Sequence, residues 1–185
     1  MTLVRAASAV TALALLAAAP AAKVVPYPAG GPPMIIPADS PVKFTGFNKD
    51  GVAEFSGRFV LTGTFVYDCP ADCEPSMTED DVELHIIPDP AVAARLPHWQ
   101  DRGDGMVVDI TGYDRVKRTI ASKAAVADLL SGKIPDVRGR VSIVVDHYAA
   151  DFGCDYSPYY AARFVGFAKP LKLARSNVEG NSGCI

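Results

Sequence analysis

A run of strict alternation early in the chain sets the terms for its fold. Phe55, Gly57, Phe59, Leu61, Gly63, Phe65 and Tyr67 occupy one set of alternate positions, and Ser56, Arg58, Val60, Thr62, Thr64 and Val66 the other. Successive strand side chains point to opposite faces, so the run predicts one long strand with a fully apolar face. Glycine at positions 57 and 63 gives it places to bend. A bent strand of this kind can serve both halves of a sheet that curls on itself and hides its edges.

The rest of the chain supplies partners for it. Val82, Leu84 and Ile86 alternate with Glu83, His85 and Ile87 in a second strand that Pro88 stops. Asp89 before Pro90 has the form of an N-cap and first helical residue, which predicts a short helix from Pro90 to Leu96. The polar stretch Gln100 to Gly105 turns the chain. Met106, Val108 and Ile110 alternate with Val107, Asp109 and Thr111 in a third strand that ends at Gly112. Ser122 can cap a helix to Ser131, with Val126, Leu129 and Leu130 on one face and Gly132 beyond its end. A fourth strand runs from Val137 to Asp146, and a fifth from Tyr160 to Ala168, where Pro170 ends it.

This order defines a mainly β chain: an OB-fold-like five-stranded barrel, with one helix between strands 3 and 4 and a short helix between strands 2 and 3. An up-and-down barrel leaves the main helix without a role, and a sandwich needs about seven strands. Fifteen Gly and fifteen Pro in 185 residues agree with many turns and short elements. The segments Val137 to Tyr148 (V-R-G-R-V-S-I-V-V-D-H-Y), Cys154 to Val165 (C-D-Y-S-P-Y-Y-A-A-R-F-V) and Pro88 to Trp99 (P-D-P-A-V-A-A-R-L-P-H-W) resemble a family of small exported proteobacterial proteins. The resemblance covers most of Phe55 to Pro170 and implies export and a compact β domain. It carries over no catalytic residue.

Residues 1–21 read as a signal peptide: one cation at Arg5, an apolar run from Ala6 to Ala19, and small residues at Ala19 and Ala21. The run is too short and too rich in alanine for a transmembrane anchor, so the expected product is periplasmic or secreted and does not span the membrane. Residues 22–50 hold Pro26, Pro28, Pro32, Pro33, Pro37 and Pro41, and read as a Pro-rich arm or linker. Residues 51–172 form the barrel domain, and 173–185 a tail. Export places Cys69, Cys73, Cys154 and Cys184 in an oxidising compartment, where four cysteines allow three pairings. The short spacing suits Cys69 with Cys73, leaving Cys154 to hold Cys184; that second bridge closes a loop of about 30 residues, worth roughly 3 kcal/mol. A zinc site built from all four has weak ligand spacing.

A net charge of -3 gives no basic footprint for nucleic acid. In an OB-fold the loop after strand 1 and the loop between strands 4 and 5 flank the ligand face. Here these are Asp68 to Asp81 and Ala149 to Tyr159. Tyr148, Phe152, Asp155, Tyr156 and Tyr159 are therefore the candidate ligand-binding residues, aromatic rings beside carboxylates that suit a peptide, a saccharide or a cationic group. Several of these rings can equally cover a barrel end. No catalytic set, metal site or cofactor motif is present: His85, His98 and His147 lack ligand spacing, and neighbouring strand residues Asp146 and His147 point apart unless a bulge intervenes. Arg138, Arg140 and Arg163 lie near acids without matching a nuclease pattern, and the turns at Asn48 to Gly51 and Asp101 to Gly105 are too short for a calcium loop. The expected function is an exported binding or interaction module for an envelope protein, peptide or saccharide. The alternatives are a small periplasmic hydrolase using His147 with Asp151 or Asp155, and a structural envelope protein that carries the arm.

Overall fold

The computed structural model describes residues 21–28, 30–69, 77–100, 105–152, 157–170 and 172–173. Residues 1–20, all but the last of the stretch read as a signal peptide, the residues from 174 on, and Cys73, Cys154, Asp155, Tyr156 and Cys184 lie outside them.

In chain order the strands are β1 (Lys23–Val25), β2 (Met34–Ile36), β3 (Lys43–Phe47), β4 (Ala53–Ser56), β5 (Arg58–Asp68), β6 (Glu83–Pro88), β7 (His98–Trp99), β8 (Val108–Thr111), β9 (Asp136–Phe152), β10 (Pro158–Phe167) and β11 (Lys172–Leu173). The helices are α1 (Pro90–Ala93), α2 (Lys117–Ile120) and α3 (Lys123–Leu130), with short 3-10 turns at Glu79–Asp81 and Asp114–Val116. Among the described residues no helix is long and apolar enough to cross a membrane.

The alternating run is strand throughout except at Gly57, whose φ of +126° interrupts it between β4 and β5. Phe55, Phe59, Leu61, Phe65 and Tyr67 are all buried, so the apolar face is the core face. Strand β5 pairs antiparallel with β6 on one side and β9 on the other. Strand β6 pairs with β8, β8 pairs parallel with β10, and β10 returns to β9. The pairings β5–β6–β8–β10–β9–β5 thus close a ring of hydrogen-bonded strands within an eight-stranded sheet, to which β4, β3 and β11 attach through β9 and β4. Strand β9, 17 residues long, pairs with β4 and β5 along one edge and with β10 and β11 along the other.

Helix α3 forms as its pattern dictates. Ser122 Oγ accepts the amide of Ala125 at 3.2 Å, Val126 and Leu129 are buried, and Gly132 leaves the helix at φ +69°. Helix α1 is shorter than expected, and Asp89 makes no side-chain cap; its carboxylate instead receives the guanidinium of Arg140 in two bonds of 2.7 Å. That pair ties the start of α1 to β9.

The stretch read as an arm is built into the structure. Strands β1, β2 and β7 form a second, three-stranded sheet, and Met34 pairs with Trp99, both fully buried. The prolines do not prevent this because they flank β1 and β2 rather than interrupt them, so each three-residue strand keeps its amide donors. Strand β3 then folds on β4 as a hairpin, whose turn is held by Asn48 Oδ1 accepting the amides of Asp50 (2.9 Å) and Val52 (3.1 Å).

Candidate functional site

The outer side of the ring opposes its apolar interior, and the parity of each strand decides which residues stand there. On β5 these are Thr64, Val66 and Asp68; on β6, Glu83, His85 and Ile87; on β8, Asp109, which pairs with His85. On β10, Tyr159 lies opposite Asp151 of β9, one pleat from Ala161, the partner of Asp109. Because β8 and β10 run parallel, residues from four strands meet on one patch. It lies beside the ends of the two connections expected to flank a ligand face, β5 to β6 and β9 to β10.

His85 is the centre of this patch. Its Nδ1–H donates to Asp109 Oδ1, and its Nε2 lies 3.3 Å from Asp68 Oδ1 and 3.4 Å from Glu83 Oε2. The contact with Asp68 is a charge attraction without hydrogen-bond alignment. The bond to Asp109, and then the Asp68 carboxylate, raise the imidazole from its ordinary 6.5 to about 10, so it is a fixed cation at neutral pH. Burial, and next the charge and hydrogen bond of Asp109, push the Tyr159 hydroxyl up to about 12 and keep it protonated. Three carboxylates thus share one cation, leaving the patch negative. Its margin is apolar: Ile87 is 42% exposed, Val107 46% and Tyr159 48%. Among the described residues no group of three or more His, Cys, Asp or Glu is arranged to hold a metal ion.

Of the residues expected to bind ligand, Tyr159 stands on this face. Tyr148 does not: the connection read as starting at Ala149 is strand through Phe152, and Tyr148 is buried inside the ring. Its hydroxyl donates to the Pro97 carbonyl at 2.7 Å, and its ring packs on Phe55, Phe59 and Tyr160. Phe152 ends β9 half-buried, its ring 5.7 Å from Trp99 and 6.4 Å from Tyr27. Asp155 and Tyr156 lie outside the described residues. Cys69, directly after β5, is half-buried and has no disulfide partner among the described residues; Cys73, Cys154 and Cys184 lie outside them.

The other histidines go elsewhere. His98 Nδ1 lies 2.9 Å from the Leu96 carbonyl. His147 Nδ1 lies 2.9 Å from Asp146 Oδ1 rather than on Asp151, whose Oδ1 accepts the Phe152 amide at 2.7 Å. Asp68, Glu83, Asp109, Ile87 and Val107 were not singled out from sequence. Their only signal is shared parity across three strands, which becomes visible once the register is known. Comparison with protein-family models, with curated proteins and with solved structures finds no match to this chain.

Proposed function

We propose that this protein is an exported binding module with an OB-like barrel, and that it takes a polypeptide segment carrying cationic and apolar side chains on the outer face of β6, β8 and β10. The barrel reading is supported by five strands paired in a ring, with the main helix between the third and fourth of them. Export is supported by the pattern of residues 1–21, and kinship with small exported proteobacterial proteins by the segments that resemble them.

One observation carries the choice of ligand. Among the described residues, three of the six exposed large apolar side chains lie on this face: Ile87 one pleat beyond His85, Val107 one pleat before Asp109, and Tyr159 beside Asp109. A negative patch with an apolar margin matches lysine or arginine side chains, whose charged ends reach the carboxylates while neighbouring residues cover Ile87 and Val107. The same patch repels phosphates, which speaks against nucleic acid.

The test is titration of the full-length chain with a fluorescent peptide of alternating Lys and Leu, beside a Glu and Leu counterpart. The basic peptide should bind, weaken as salt rises, and lose at least about fivefold affinity in Glu83→Gln combined with Tyr159→Ala, each side chain contributing roughly 0.5–1 kcal/mol. Equal affinity for the two peptides would reject the assignment. Fractionation of cells expressing the tagged chain, with and without residues 1–21, tests export separately.

A further inference from the structure

A second feature lies where β4 gives way to β5. Strand β4 pairs with β9 through Ala53 with Ala150 and Glu54 with Ala149, and β5 resumes the pairing with Arg58 opposite Asp146. Residues 55–57 therefore face only His147 and Tyr148. On the other side of β9, Ala162 alone faces the same two residues, because the register with β10 shifts between Ala161 and Arg163. Strand β9 is bulged at this point, and His147 has φ +50°, the single positive φ of a non-glycine residue among those described. That conformation costs on the order of 1 kcal/mol or more. It brings His147 beside Asp146, a meeting that regular pleating forbids.

The break opens a cleft of ≈ 590 Å³, within the range of small-molecule sites, lined by Thr45, Glu54, Ser56, Arg58 and His147, with Phe55 and Tyr148 behind them. Its charges are unevenly committed. Asp146 is occupied by Arg163, which donates Nε–H and Nη2–H at 2.9 and 3.2 Å, and by His147. Glu54 Oε1 accepts from Asn48 at 3.2 Å. Arg58 differs: its Nη2 is 3.7 Å from Asp146, beyond hydrogen-bond range, and its side chain is 64% exposed. Its planar fork of donors faces the cleft with no hydrogen bond among the described residues. The two guanidinium groups and the two carboxylates balance formally, so the site has no surplus with which to hold a dianion. A planar carboxylate, which places one negative charge on one fork, is the matching group.

We propose that this cleft is a binding site for a small monocarboxylate with an apolar body, the carboxylate held by Arg58 beside the His147 imidazole and the body lying across Gly57. It is separate from the acidic face around His85, and stands or falls independently of it.

The probe is 2-naphthoate, with 2-naphthamide as its uncharged counterpart, titrated into the full-length chain and followed by amide and guanidine N–H chemical shifts. Millimolar binding of 2-naphthoate should shift Gly57, Arg58 and His147, with 2-naphthamide at least about tenfold weaker, the factor expected from one hydrogen-bonded charge. Arg58→Gln should remove that preference and leave the weak amide binding unchanged. Equal binding of the two probes by the wild type overturns the proposal and requires no variant. So do shifts confined to the His85 face, or displacement of 2-naphthoate by an equal concentration of inorganic phosphate.

Discussion

Replacing Gly63 by alanine tests the ring of strands at its tightest point. Gly63 lies in β5 opposite Pro88, and a Cβ there would sit 2.2 Å from the Ile87 carbonyl oxygen and 2.9 Å from both the Ile87 carbonyl carbon and Pro88 Cα. These are backbone atoms, so no side chain can rotate away. Ordinary contact begins near 3.4 Å, and β5 and β6 must separate by about 1 Å. Strand β5 cannot retreat freely, since its other edge is bonded to β9 along its whole length. The cost combines overpacking, roughly 1–3 kcal/mol, with weakening of neighbouring bonds such as Asp89 N–H to the Thr62 carbonyl at 2.9 Å, worth about 1 kcal/mol. A loss of about 3 kcal/mol follows, which for a chain of 185 residues lowers Tm by roughly 6–12 °C. Gly166→Ala is the control, because its Cβ would have nothing within 4 Å and its φ is not positive; it should shift stability by no more than about 1 kcal/mol. Thermal unfolding followed by circular dichroism decides the matter. A Gly63→Ala protein melting within about 2 °C of wild type would mean that β5 and β6 are not in this register.

Other expectations are independent of that one. The raised His85 group contributes stability fully below its unfolded value of 6.5, and the contribution disappears as pH rises through about 10. His85→Gln should therefore destabilise the protein clearly at pH 6 and scarcely above pH 10, and imidazole shifts should show His85 still protonated at pH 8; a midpoint near 6.5 would refute the contacts with Asp109 and Asp68. Tyr67 is fully buried and its hydroxyl has no partner among the described residues, so Tyr67→Phe should be neutral or stabilise by about 1 kcal/mol in urea unfolding. A clear loss would show that the hydroxyl is bonded. At the bulge, His147→Gly should exceed His147→Ala in stability by about 1 kcal/mol, since both lose the imidazole and only glycine relieves φ +50°. Equal values would remove the strain.

The element order was legible because each strand carries its own alternation and each boundary a proline, a glycine or a cap. Ser122, Val126 and Leu129 marked α3 to within a residue. Three things were hidden. Prolines at 26, 28, 32, 33 and 37 read as excluding a helix or a central strand and as marking an arm or linker, yet they frame strands of three residues, a length too short for alternation to register. Helix α2 buries only Ile120, so it shows no helical period. The far end of β9 was lost because Ala149, Ala150 and Asp151 carry weak strand preference; they are strand because β10 pairs with all three and β4 with Ala149 and Ala150.

The sites were less legible than the fold for a related reason: each depends on register between strands distant in sequence. His85 reads as a solitary outward histidine until Asp109, 24 residues later, is placed opposite it, and Asp68 and Glu83 are seen to share its edge. The aromatic concentration between Tyr148 and Tyr160 was a true signal of local crowding, but parity sent Tyr148 and Tyr160 inward to stack on each other and left Tyr159 outside. Asp146 and His147 reverse the case. Pleating keeps adjacent residues apart, and the bulge that unites them follows from no local pattern, since histidine rather than glycine occupies the left-handed position. A chain under no demand at that point would reach the same bulge with less strain through glycine. The imidazole held there lines the same cleft as Arg58, whose guanidinium lies 3.7 Å from Asp146 without a hydrogen bond among the described residues, and that pairing is the physical ground for proposing a ligand for the cleft.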